Sequence, residues 1–197
     1  NLNWTDNCLN FHKNKKPIKT ASDIQARNKI YSSSVNSWKN YDKYSGFVIL
    51  HGSDTMAYTA SAMSFMFRNL NKPIIFTGSQ LPIGTIRTDG KENLITAIEI
   101  ASTFKNGASL IQEVAIYFEY QLYRANRTTK VSSEDFEAFK SFNYPTLAEA
   151  GIHIKFNERF LLRPEKKDVE YKANFNSDIG IVHLFPGIDY DNLKYTL

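Results

Sequence analysis

Residues 51–55 read His-Gly-Ser-Asp-Thr, residues 77–80 Thr-Gly-Ser-Gln and residues 124–130 Arg-Ala-Asn-Arg-Thr-Thr-Lys. Together they offer hydroxyls, a carboxylate and an amine, the groups that amide hydrolysis uses. That reaction needs a hydroxyl nucleophile or an activated water, a base for its proton, and donors for the developing oxyanion. A hydroxyl is a weak nucleophile at neutral pH, but a partly desolvated lysine can take its proton and a neighbouring carboxylate can orient that lysine. Ser53, Lys130 and Asp54 fit such a trio.

Each stretch also has a plainer reading. Ser53, Asp54 and Thr55 precede a helical pattern and suit helix capping. In "RTDGKEN" (87–93) Asp89 reads as a cap, with Glu92 in the first turn. His51 suits a hydrogen-bonded structural histidine, and "RANRTTK" a solvated basic loop. Gly52 and Gly78 permit turns or a close approach that a Cβ would obstruct. Ser53, Asp54, Thr55, Thr77, Ser79 and Gln80 supply donors and acceptors for a small polar ligand. Residue types and spacing leave both readings open.

The elements that must position these groups are legible in part. Four apolar runs read as buried strands: "GFVIL" (46–50), "KPIIFTG" (72–78), "EVAIYF" (113–118) and "IGIVHLF" (179–185). They are continuous rather than alternating, as strands covered on both faces are. Met56, Ala60, Met63, Phe67 and Leu70 follow helical spacing between the first two, closed by "NLNKP". Leu94, Ile98 and Ala101 share a helical face between the second and third, in a segment ending on Gly107. This βαβαβ order implies an α/β fold, a three-layer, largely parallel sheet flanked by helices. Ligands in such sheets gather at the carboxyl ends of the strands, where "HGSDT" and "TGSQ" both fall and "RANRTTK" follows the third strand. The first 45 residues have weak periodicity and suggest some helix. Residues 156–178 suggest a strand or two with a charged connection, and the final "IGIVHLFPGIDYDNLKYTL" a strand-turn-helix unit opening a second, smaller α/β domain. The expected division is 1–175 and 176–197.

Composition excludes several classes. The 197 residues are 42% apolar and 14% aromatic, too rich for a disordered tail, and no apolar run approaches the roughly 20 residues of a membrane-spanning helix. The net charge of +4 is mild, and the basic patches "HKNKKPIK" and "RPEKKD" lack interleaved aromatics, so neither nucleic-acid nor membrane binding is expected. One cysteine, Cys8, suits a reducing compartment.

"HGSDTMAYTASAMSFMFRNLNKPIIFTGSQLPIGTIRTDGKENLITAIEIA", followed by "LYRANRTTK", "FNYPTLAEAGIHI" and "DIGIVHLFPGI", closely resembles the cytoplasmic, type I bacterial L-asparaginases. The resemblance covers roughly residues 44–156 and resumes at residue 178. It implies hydrolysis of L-asparagine to L-aspartate and ammonia without cofactor or metal, in a cytoplasmic homodimer or homotetramer. Residue by residue, it places Ser53 at a catalytic threonine, Asp54 at the aspartate that grips the substrate's amino-acid head, and Lys130 at the lysine completing a hydroxyl-Lys-Asp triad. "YSSSV" stands where an Asp-Ser-Ser stretch holds the substrate head, so Ser32 and Ser33 join Gly52, Ser53 and Asp54 as substrate-binding candidates, with Ser32 in place of an aspartate.

Departures from the family pattern stand out. Serine for threonine at Ser53 keeps the hydroxyl but loses the methyl that restricts χ1. The family's primary nucleophile, a threonine in a Thr-Gly-Gly-Thr-Ile first strand, has no counterpart among these 197 residues, and the lid tyrosine near that strand cannot be assigned. Between Trp38 and Gly46 the chain is shorter than the family pattern. The expectation is a portion of a longer polypeptide, the alternative a non-catalytic amino-acid-binding remnant; the related amidotransferase subunit that feeds ammonia to charged tRNA is a third, weaker reading.

Overall fold

The computed structural model describes residues 18–21, 34–133, 135–163, 166–176 and 179–188. Its frame is a seven-stranded sheet: β1 (Ile18–Ala21), β2 (Gly46–Leu50), β3 (Ile74–Thr77), β4 (Val114–Phe118), β5 (Gln121–Arg124), β6 (Ala148–Ala150) and β7 (Ile154–Phe156), side by side in chain order. Strands β1 to β4 are parallel; β5, β6 and β7 each add antiparallel to the strand before. The expected three-layer α/β architecture is therefore present, with an antiparallel half that the apolar runs did not announce.

Two helices make the outer layers. Helix α1 (Ser53–Met66) links β2 to β3, and helix α2 (Gly90–Ala101) links β3 to β4. Alternation along the strands divides the core. Phe47, Ile49, Ile74, Phe76, Val114, Ile116 and Phe118 pack under Met56, Ala60 and Met63 of α1. Val48, Ile75, Ala115 and Tyr117 pack under Leu94, Ala97, Ile98 and Ala101 of α2. Burial on both faces explains why these strands read as unbroken apolar runs.

This arrangement has a topological consequence. Strands β2, β3 and β4 advance in one direction across the sheet, so two crossovers of the same hand would put both helices on one face. Since α1 and α2 cover opposite faces, one crossover is left-handed, against the strong right-handed preference of such units.

Several expectations change. The pattern through Leu70 stops being helical at Met66: Phe67 is extended at φ −104, Phe67–Arg68 pairs with Glu170–Tyr171, and Asn69 takes positive φ. Both Phe67 and Leu70 remain buried, so burial rather than helix explains their apolar character. Residues 179–185 form no strand; Ile179, Ile181, Leu184 and Phe185 are exposed and have no neighbouring strand to pair with among the described residues. Gly107 ends no helix but turns the short hairpin of Phe104–Lys105 with Ala108–Ser109 at φ +83. In the first 45 residues there is helix at 34–39, and also strand β1, which no pattern suggested. Among the described residues no helix is long and apolar enough to cross a membrane.

The two-sided core sets a clear expectation for stability. Ile116→Ala, at a fully buried position, should cost about 2–5 kcal/mol in chemical denaturation. Ile95→Ala, on the exposed side of α2, should stay within about 0.5 kcal/mol of the parent.

Candidate active site

Parallel strands β2 and β3 end side by side. His51 extends their ladder by donating its N–H to the Thr77 carbonyl at 2.9 Å, and Thr77 Oγ1 donates to the Tyr117 carbonyl on β4 at 2.9 Å. Beyond Thr77 the backbone closes tightly on the neighbouring chain. A Cβ at Gly78 would lie 2.2 Å from the His51 carbonyl oxygen and 2.9 Å from Met56 Cε, so only glycine fits. Gly52 is different: a Cβ there meets nothing within 4 Å, and its backbone is ordinary at φ −61.

Gly52 is also the N-cap of α1, and among the described residues no side chain caps that helix end. The capping reading of Ser53, Asp54 and Thr55 is therefore wrong. Ser53 and Asp54 lie inside the first turn, with their polar atoms directed to another segment. Lys130 Nζ donates to Ser53 Oγ at 2.9 Å and to Asp54 Oδ1 at 2.6 Å. Ser53 in turn donates its hydroxyl proton to Gln80 Oε1 at 2.8 Å, and Gln80 Nε2 donates to the Asp135 carbonyl at 3.0 Å. The Ser53 hydroxyl is thus held from both sides, with its proton directed at Gln80.

The loop bearing Gln80 is fixed by α2. Asp89 stands at that helix's N-cap, yet its carboxylate does not cap it. It accepts the backbone N–H groups of Gln80 (2.9 Å) and Leu81 (3.2 Å) and the Asn93 amide (3.1 Å). Thr88 Oγ1 takes the Gly90 N–H instead, at 3.1 Å. Asn93, wholly buried, also donates to the Gly78 carbonyl and accepts the Glu119 N–H. Asn93 was not singled out from sequence; a polar residue amid the buried face of an amphipathic helix, four places after Asp89, was the available signal.

Lys130 does not follow β4 directly, as "RANRTTK" suggested. The chain first turns back through Glu119 and Tyr120, both at positive φ, into β5, then through the 3-10 turn Ala125–Arg127 against α1. Thr129–Lys130 then pairs with Phe139–Lys140 beside the start of α1. His51 is buried, with Nδ1 2.8 Å from the Gly52 carbonyl, as a structural histidine would be. Ser32 and Ser33 lie outside the described residues. Among the described residues no group of three His, Cys, Asp or Glu side chains is arranged to hold a metal.

Charge is unevenly exposed here. The Lys130 side chain is 15% exposed and that of Asp54 87%. The Lys130 hydrogen bond, with its positive charge, holds the Asp54 carboxyl below the usual carboxylate range. Nearby, burial foremost and then the charges of Asp89, Glu92 and Glu137 push the Glu119 carboxyl upward.

Fold and cluster together define an α/β protein whose strand ends hold a lysine amine in contact with both a serine hydroxyl and a carboxylate. The chain belongs to the asparaginase family, whose N-terminal profile matches residues 22–161. It is similar to L-asparaginase 1 of Escherichia coli (strain K12), with 48% identity over 159 residues covering 79% of this chain and 44% of that protein. It is also similar to a 60 kDa lysophospholipase of Mus musculus, 42% identical over 151 residues, 76% of this chain and 26% of that one. Among solved structures, L-asparaginase I from Vibrio cholerae O1 biovar eltor superposes with a TM-score of 0.76 at 40% identity, over 87% of this chain and 51% of that chain. The chain spans about half the length of these asparaginases, or less.

Two outcomes follow from the geometry. Gly78→Ala must push the ends of β2 and β3 apart, and should cost about 1–3 kcal/mol in denaturation. The Asp54 carboxyl, followed by carbon NMR, should titrate below an ordinary aspartate and return toward it in Lys130→Met. Because the folded value lies below the unfolded one, the link contributes stability above the unfolded value and is lost as pH falls through the folded one.

Proposed function

We propose that this chain supplies the Ser53, Asp54 and Lys130 part of the active site of an L-asparaginase, converting L-asparagine and water to L-aspartate and ammonia. The observation that carries the reading is the contact of one lysine amine with both the hydroxyl and the carboxylate that open α1, at 2.9 and 2.6 Å.

Asp54 is well suited to grip the ammonium group of an amino-acid substrate. It is ionised well below neutral pH, and most of its side chain faces outward while Lys130 holds one oxygen. Gly52, with open space where a Cβ would stand, leaves room for a ligand to approach the backbone, and Ser32 and Ser33 are read as further contacts to the substrate head.

Ser53 and Lys130 are the proton carriers. In the arrangement described, Lys130 donates and Ser53 passes its own proton toward Gln80. For a relay the direction reverses: Lys130, having given up a proton, accepts one from Ser53, and Ser53 accepts one from the attacking hydroxyl. As the amide C–N bond breaks, the same path returns a proton to the departing nitrogen, so that ammonia leaves and water completes hydrolysis of the acyl group. The attacking hydroxyl is read as the threonine of the family's Thr-Gly-Gly-Thr-Ile strand, which these 197 residues do not include. Activity accordingly belongs to a polypeptide that carries it, one we read as a cytoplasmic homodimer or homotetramer with residues 176–197 opening a second domain.

The similarity to a protein named lysophospholipase suggests ester hydrolysis as a competing use of a related site. A polar cluster built on a carboxylate and an amine favours an amino acid. The test is ammonia release from L-asparagine by the complete polypeptide, with lysophosphatidylcholine as the alternative substrate. Lys130→Met should lower kcat by about 10³-fold or more. Binding of asparagine without ammonia would favour the non-catalytic alternative, and turnover of the lipid alone would overturn the proposal.

A further inference from the structure

Lys130 reaches Ser53 and Asp54 from a connection that begins at the opposite end of the sheet. That connection starts at Arg124, the last residue of β5, where the chain leaves the antiparallel ladder. Its guanidinium is almost enclosed and is held by a two-pronged bond to Glu113: Nε donates to Oε2 at 2.5 Å and Nη2 to Oε1 at 3.2 Å. Nη2 also donates to the Phe160 carbonyl at 2.8 Å, and the guanidinium lies over the Tyr144 ring, 4.3 Å from its centre. Glu113 Oε1 accepts the Leu162 N–H at 2.8 Å as well.

A buried ion pair is an inefficient way to stabilise a fold, since removing two charges from water offsets much of their attraction. What the planar guanidinium fork provides is direction: its donors point along fixed lines, so the backbone bearing it has little freedom in how it leaves the sheet. The next residues inherit that direction. Ala125 is buried against α1, and Thr128 Oγ1 donates back to the Arg124 carbonyl at 2.7 Å, closing the turn. Two residues later stands Lys130. The turn that Arg124 launches therefore lies on the helix whose first residues are Ser53 and Asp54.

We propose that the Glu113–Arg124 pair is a positioning device for Lys130, setting where its amine stands against Ser53 and Asp54 although neither Glu113 nor Arg124 touches them. The proposal rests on the reading of Lys130 as the group that serves Ser53 in amide hydrolysis. Phe139–Lys140 steadies the far side of Lys130 through its ladder; the near side depends on the pair.

The test uses Arg124→Lys in the complete polypeptide, which keeps the charge and loses the fork. We expect kcat for L-asparagine to fall about 10²-fold, as a misplacement of order 1 Å can cause, with KM changed less than about twofold. The Asp54 carboxyl carbon should titrate at higher pH, toward its value in Lys130→Met. A merely structural role would lower Tm but move neither the titration nor kcat, the behaviour expected of Ile116→Val. If Arg124→Lys fails to fold, Thr128→Val, which removes only the bond back to Arg124, is read in the same two ways with smaller changes. A folded variant that keeps the parent's Asp54 titration and kcat overturns the proposal. Absence of turnover in the parent defeats the asparaginase reading instead, and the titration alone then decides this one.

Discussion

The amine of Lys130 lies between a hydroxyl at 2.9 Å and a carboxylate at 2.6 Å, and that pair of contacts ties together segments lying 76 and 77 residues apart in the chain. Ser53 and Asp54 come from the first turn of α1, Lys130 from a connection that has left the sheet, doubled back and crossed the same helix. The amine pairs with Asp54 while staying within hydrogen-bond distance of Ser53. Asp54 stays largely exposed, so its lysine leaves most of the carboxylate open.

Helices α1 and α2 lie on opposite faces of the sheet. One left-handed crossover lets α1 and α2 approach the carboxyl ends of neighbouring strands from two sides. From one face α1 brings Ser53 and Asp54. From the other, α2 brings Asp89 and Asn93, whose side chains hold the Gly78–Leu81 backbone that presents Gln80 to Ser53. The close approach of Gly78 to the His51 carbonyl seals the two strand ends together. Asp89 shows the difference between a capping position and a capping function: it occupies the first and serves a loop.

Parts of this were legible because local physics and tertiary demand coincide. Strands covered on both faces must be apolar throughout, and β2, β3 and β4 were each found within about two residues. The meeting of Ser53, Asp54 and Lys130 was expected from chemistry and from family resemblance, and Lys130 does contact both of the others. Other features left no local trace. Strand β5 follows a turn at Glu119 and Tyr120, residues that carry no turn signal although both take positive φ. That turn is held by Asn93 from α2, so its cause is 26 residues away. The Glu113–Arg124 pair was equally hidden, since a glutamate opening one strand and an arginine closing the next look like ordinary surface charges until the antiparallel register brings them together. Conversely, residues 179–185 have a strand's composition but, among the described residues, no partner strand, and composition alone does not make a ladder.

A crystal structure of the complete polypeptide with L-aspartate bound tests directly whether Asp54 receives the head of an amino acid while Lys130 serves Ser53. The expected result is the ligand's ammonium group on the Asp54 carboxylate, with Ser53 Oγ still within hydrogen-bond distance of Lys130 Nζ and facing the ligand's side-chain carboxylate. A ligand bound away from Asp54, or a Lys130 amine turned away from Ser53 in the occupied site, would rule out these roles.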